Sequence, residues 1–168
     1  AGLVNLISKK PKLEREITLM LDQTSRKGTT LNAYYSKRND TFGMSLFGSG
    51  NSQNASDVND DHFSDLPKVR SITFNPTFYY YPTENKEWRV GFTLATENRI
   101  GGDMDAVNDN ASLQHSFFEE NKSNRYTMQL SYNNFITDDK AFHLKNSISY
   151  FKRDLTLPNY QFLGKQFA

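Results

Sequence analysis

Cysteine is absent from the 168 residues, which excludes a disulfide framework and any thiolate metal site and leaves the chain indifferent to redox compartment. An excess of charge of one sign is missing too. Against 20 Lys and Arg stand 19 Asp and Glu, a formal net charge of +1, so no global field gathers nucleic acid or an anionic surface. No nucleic-acid partner is expected. No stretch approaches the roughly 18 to 20 apolar residues of a spanning helix, so any crossing of a membrane falls to strands. The start at Ala1 has neither a basic n-region nor a long apolar run, and no signal peptide is expected. Hydrophobic residues total only 36 %, a low figure for a soluble core, although the length itself suits one domain of about 100 to 150 residues.

Alternation and aromatics fill the space left by these absences. Apolar residues recur at every second position, the mark of strands with one apolar and one polar face. Ile17, Leu19 and Leu21 open the series; Leu31, Ala33 and Tyr35 continue it, then Phe42, Met44 and Leu46. A third pair reads Ile72, Phe74, Phe78, Tyr80 and Trp88, Val90, Phe92, Leu94; a fourth reads Tyr126, Met128, Leu130, Tyr132 and Phe142, Leu144, Ile148, Tyr150. The segment Glu16 to Thr24 has the roughly 9 to 11 residues of a tilted transmembrane strand, and Arg70 to Tyr81 is longer.

Connection lengths alternate as well. Lys37 to Asp40, Pro82 to Glu87 and Thr137 to Lys140 read as tight hairpin turns, whereas about Gly48 to Pro67 and Asn98 to Asn124 read as long polar loops. Short turns on one side and long loops on the other are the wiring of an up-and-down transmembrane barrel; the short connection Ser25 to Thr29 is the exception. Aromatics flank every short turn, and Tyr35, Phe42, Tyr80, Trp88, Tyr132 and Phe142 are the expected membrane-interface girdle, since an apolar ring with a polar tip favours the headgroup level. Cross-strand aromatic pairing alone accounts for part of that pattern.

The N-terminal run Ala1-Gly2-Leu3-Val4-Asn5-Leu6-Ile7-Ser8-Lys9-Lys10-Pro11-Lys12 resembles the end of the plug domain in TonB-dependent outer-membrane receptors, where a glycine turn, a Val-Asn-Ile-Ile strand and a Ser/Thr-Lys-Lys-Pro segment lead into the first barrel strand. Leu6 departs from that pattern conservatively. Gly101-Gly102-Asp103-Met104, and Asn146 to Arg153 leading to Tyr160-Gln161-Phe162-Leu163-Gly164, look like family members from Bacteroidetes-type bacteria. The resemblance implies an all-β antiparallel segment of a transmembrane barrel. Residues 1-13 would be the end of the plug, and 14-168 would be about seven to eight strands of a barrel of roughly 22. It further implies import of a scarce nutrient (a siderophore, haem, cobalamin or glycan) across the outer membrane of a Gram-negative bacterium. The implied partners are the lipid bilayer, the rest of the same barrel and plug, and a TonB-type energy-coupling protein acting on a plug N-terminus that lies outside this chain. An isolated piece would self-associate through its open edges. A self-contained eight-strand outer-membrane barrel (anchor, adhesin or channel) and a soluble carbohydrate-binding β-sandwich are the alternatives.

Catalytic chemistry is not indicated. His62, His115 and His143 lack a metal-peptidase or nucleophile-elbow context, and Gly48, Gly50, Gly101 and Gly102 lack the Gly-Lys-Ser/Thr of a phosphate loop. No enzyme activity and no cofactor are expected. The external loops about Gly48-Pro67 and Asn98-Asn124 are the expected ligand-binding regions, with no individual residue assigned. The side-chain oxygens of Asp57, Asn59, Asp61, Asp103 and Asp105 are candidates for Ca²⁺, which takes six to eight oxygens. Asp57-x-Asn59-x-Asp61 begins like an EF-hand loop and then fails, because His62 occupies its glycine position and no Glu stands at its twelfth. A short helical turn is open to Ser112 to Asn121.

Overall fold

The structure, a computed structural model, describes residues 9–108, 112–137 and 140–168. Eight strands follow one another: β1 (Glu16–Gln23), β2 (Thr29–Arg38), β3 (Phe42–Gln53), β4 (Lys68–Thr83), β5 (Lys86–Gly102), β6 (Phe118–Thr137), β7 (Lys140–Leu157) and β8 (Tyr160–Phe167), with one short helix, α1 (Met104–Val107). They form a single antiparallel sheet in the order β1-β2-β3-β4-β5-β6-β7-β8. The sheet is open, and β1 and β8 each keep one edge without a neighbour among the described residues. Neither of the self-contained alternatives has this shape: a closed eight-strand barrel pairs its first strand with its last, and a sandwich stacks two sheets. No helix among the described residues is long and apolar enough to cross a membrane.

Local chemistry sets the turns. Between β2 and β3 the Asn39 side chain accepts hydrogen bonds from the amides of Thr41 and Phe42 at 2.9 and 2.6 Å, an Asx arrangement that reverses the chain without help from the sheet. Between β1 and β2 the Gly28 amide donates to Thr24 Oγ1 at 2.9 Å, and Lys27 takes up a left-handed φ of 60°. At the far end, Pro158 and Asn159 alone join β7 to β8. This is a second tight connection on the side of the long loops.

The long loops are shorter than the sequence implies. β3 runs on to Gln53 and β4 begins at Lys68, so the first loop spans 54–67 and not Gly48-Pro67. The second spans 103–117, because β5 reaches Gly102 and β6 begins at Phe118. Backbone pairing explains the difference: Gly48 to Ser52 pair with both β2 and β4, and Gln53 with β4, whatever their side chains. The helical turn lies at Met104–Val107 and not in Ser112 to Asn121, whose last residues belong to β6.

Burial is sparse. Among the described residues only Tyr79, Ala106 and Val107 are buried hydrophobics. The accessible surface is 12063 Å², whereas a compact monomer of 19.4 kDa exposes about 8,500 Å². The excess is what a one-layer sheet gives, with no second sheet over either face among the described residues.

Candidate functional site

Residues directly opposite one another in the register share a face, so the ladder can be read as rows crossing the sheet. On one face the central row is Ile17, Tyr35, Leu46 and Pro76, continued in the same register by Phe92, Met128 and Ile148. The next row is Leu19, Ala33, Gly48, Phe74, Leu94, Tyr126 and Tyr150. Toward the short turns lie Met44, Phe78, Val90 and Leu130, then Phe42, Tyr80, Trp88 and Tyr132. Many of these side chains are bare: Ile17, Leu19, Ile72, Phe78 and Ile148 are all close to half exposed or more. With the row Leu21, Leu31, Gly50 and Ile72 on the long-loop side, five rows span eight residue steps along a strand, about 27 Å, or roughly 21 Å of height at a 40° tilt. The apolar band of an outer-membrane barrel is about 25 Å tall.

Aromatic rings close the short-turn margin of this band. Phe42 stacks on Tyr80 with centroids 5.1 Å apart, Trp88 meets Tyr132 at 4.5 Å, and Tyr132 meets Phe142 at 6.3 Å. Tyr35 stands four residues inward of the Phe42 row, opposite Leu46, while Phe142 stands two residues outward, since Tyr132 faces Leu144. The margin therefore descends six residues over the five strand steps from β2 to β7, or 1.2 per strand. A band level with a membrane plane, on strands tilted 35 to 45° and spaced about 4.8 Å apart, has to slip about 1.0 to 1.4 residues per strand. The opposite margin moves the same way, by two residues, from Ile72 on β4 to Leu94 on β5 and Tyr150 on β7.

The other face is polar, and the N-terminal segment crosses it. The Arg38 amide donates to the Lys12 carbonyl at 2.8 Å. A Cβ at Gly43 would lie 3.0 Å from the Pro11 ring, so the missing side chain lets Pro11 settle against the sheet. Lys9 pairs with Glu16, and Lys10 Nζ lies 2.7 Å from Glu87 Oε2. Glu87 Oε1 accepts from Asn133 at 3.1 Å, and Asn133 Oδ1 lies 2.8 Å from His143 Nδ1. This chain of contacts ties the segment to β5, β6 and β7. Seven buried side-chain polar atoms lack a partner among the described residues, and six of them, on Tyr34, Ser36, Arg38, Asn75, Tyr81 and Arg89, lie on this face. Buried polar atoms are costly when unpaired, so this face is built to be met by further polar groups. Because the Lys10 side chain is 59 % exposed, a Lys10→Met/Glu87→Gln double-mutant cycle should give a coupling of only about 1 kcal/mol. A coupling of zero in urea titrations would mean that the ion pair does not hold the segment.

Beyond the long-loop margin the two loops are zipped together. Ser64 donates to Gly102 at 2.8 Å, Met104 donates to His62 at 2.9 Å, and Phe63 packs on Phe117. The candidate Ca²⁺ residues fall into two groups. Asp57 accepts from the amides of Asn59, Asp60 and His62 at 3.2, 2.8 and 2.8 Å, and Asp61 accepts from the Phe63 amide at 2.8 Å. Those oxygens support a tight loop in which Asp60 and His62 hold left-handed φ. Asp103 and Asp105 gather with His115 instead, ligand atoms within 4.8 Å of one another. His115 Nδ1 lies 2.7 Å from Asp103 Oδ2, while Asp103 Oδ1 caps α1 by accepting from the Asp105 amide at 3.0 Å. In the sequence His115 stands apart from these carboxylates, because twelve residues separate it from Asp103.

The hydrogen bond to Asp103 raises the His115 pKa, and its counterpart lowers that of Asp103. A raised His pKa contributes fully below its ordinary 6.5 and is lost as pH climbs through the raised value; a lowered Asp pKa contributes above about 3.8 and is lost below it. Docking of 112–117 should be strongest between those limits and loosen on either side, as Asp103 is protonated below and His115 loses its proton above. Amide exchange across that segment at acid and at mildly alkaline pH checks this, with His115→Gln removing the dependence.

Comparison with protein-family profiles, with curated proteins and with solved structures yields no match for this chain.

Proposed function

We propose that this chain is part of the wall of a TonB-dependent outer-membrane transporter, with residues 1-13 the end of its plug and 14-168 the first strands of its barrel. The observation that carries the reading is the oblique apolar band, rimmed by aromatics, on an open up-and-down sheet. In hydrocarbon each unpaired backbone group costs several kcal/mol, so such a sheet needs further strands on the free edges of β1 and β8. The polar face, with its unpartnered Arg, Tyr and Asn groups, would then line a lumen. The Ser8-Lys9-Lys10-Pro11 run, which resembles the family's plug-to-barrel junction, agrees with the path of Lys9 to Lys12 across that face.

On this reading the protein imports a scarce nutrient (a siderophore, haem, cobalamin or glycan) captured by the external loops 54–67 and 103–117 and drawn inward when an energised partner acts on the plug. The test is deletion of the full reading frame in its Gram-negative host, followed by growth on limiting iron chelate, haem, cobalamin and glycan. The expected result is loss of growth on one of them and recovery of the protein in the outer-membrane fraction. Recovery as a soluble monomer, with growth unchanged on all four, would contradict it.

A further inference from the structure

On the apolar face the margin toward the long loops carries five cations, Arg70, Lys68, Lys122, Lys152 and Lys165, against two carboxylates, Glu120 and Asp154. Arg70 lies two residues beyond Ile72 on β4, and Lys68 two beyond Arg70. On β7 and β8 Lys152 and Lys165 stand directly opposite each other in the register, one row beyond Tyr150 and Phe167. Like charges facing across a ladder destabilise it unless an anion lies between them. Among the described residues none of Arg70, Lys68, Lys152 and Lys165 has a carboxylate partner; the neighbouring Lys122 is paired, to Glu120 at 2.9 Å.

Next to Arg70 the face is hollow. Gly48 and Gly50 present no side chain, and a Cβ at either would meet nothing within 4 Å. The space between β2 and β4 forms a groove of about 490 Å³ with Leu31, Gly50 and Ile72 along it and Arg70 and Asn98 at its long-loop end. An apolar trough ending at an unpaired guanidinium has the complementarity of one acyl chain joined to a phosphate, which a guanidinium grips through two parallel hydrogen bonds.

We infer that this margin selects anionic, phosphate-bearing lipid. One acyl chain fills the hollow over Gly48 and Gly50 with its phosphate on Arg70, and a second headgroup neutralises the Lys152–Lys165 pair. This rests on the apolar face being the lipid-facing one. Each cation engaged should contribute about fivefold to the preference for an anionic bilayer, lessened by salt.

The full-length protein is mixed with phosphatidylcholine vesicles and with the same vesicles containing phosphatidylglycerol. Bound fraction is read by flotation, and retained lipid phosphorus is measured after detergent exchange. The inference expects at least about tenfold tighter binding to the anionic vesicles, a loss of most of that preference in Arg70→Gln/Lys152→Gln/Lys165→Gln, and less retained lipid in Gly50→Leu, whose strand spectrum should be unchanged because the added side chain enters open space. Equal binding to both vesicles, or a preference that survives the triple substitution, overturns it while leaving the lipid-facing reading intact. Binding to neither vesicle overturns both. Undiminished lipid retention in Gly50→Leu overturns the groove.

Discussion

Phe74→Arg should cost about 2 to 4 kcal/mol of folding free energy in a lipid bilayer, and Thr73→Arg, one residue away, close to nothing. The two positions differ only in face. Phe74 is aligned with Gly48 and Leu94 inside the apolar band, whereas Thr73 is aligned with Ser49 and Ala95 on the polar face. A guanidinium in hydrocarbon loses its hydration, while one facing a wet lumen keeps it. Depth supplies an internal control: Ile72, two residues nearer the cationic margin, should tolerate Arg at a cost of about 0 to 1 kcal/mol. Urea titrations of the full-length protein in vesicles give all three values. An equal penalty for Phe74 and Thr73 would mean that the faces do not meet different solvents.

Gly102→Ala should unlock the paired loops. Gly102 has φ +134°, and a Cβ there would come within 2.6 Å of the Phe117 carbonyl oxygen and 2.8 Å of Phe118 Cα. Backbone cannot swing aside as a flexible side chain can, and the dihedral alone costs about 1 to 3 kcal/mol for a residue with a side chain. The Gly102 carbonyl also accepts from Ser64, and its amide donates to Ser64 Oγ at 2.8 Å, so displacing it parts loop 54–67 from loop 103–117. The expected result is faster amide exchange and proteolysis in both loops, with protection at the sheet centre, at Phe92 and Met128, retained. Unchanged loop protection would show that the chain reaches this turn by another route.

How much of this was legible beforehand follows from the range of the physics involved. Period-two alternation is local, so the faces of β4 to β7 and the turns after Arg38 and Thr83 could be read directly; the expected turn Thr137 to Lys140 falls on 138–139, outside the described residues. Strand ends could not. Gly48-Ser49-Gly50-Asn51-Ser52 reads as loop by composition, yet it pairs on both sides because its neighbours Thr29 to Ala33 and Val69 to Phe74 offer a ladder, and backbone hydrogen bonds ignore side-chain preference. The place of Tyr35 shows a related limit. Expected in the girdle, it lies four residues inward of the Phe42 row, and only the register reveals that the whole margin runs obliquely. Contacts between distant residues were least legible: Lys10 with Glu87, and Asp103 with His115, have no spacing rule to announce them. The second tight connection beside the long loops, at Pro158-Asn159, likewise breaks the simple alternation of lengths.

The chain carries a single tryptophan, and its ring belongs to the aromatic margin, against Tyr132. Trp88 emission in vesicles whose lipids carry bromine at graded depths therefore tests most directly whether that margin sits at a bilayer interface. Blue-shifted emission is expected, quenched most by bromines close to the headgroup and progressively less by those toward the bilayer centre. Red-shifted emission that no bromine position quenches, from a protein that stays monodisperse in plain buffer, would contradict it.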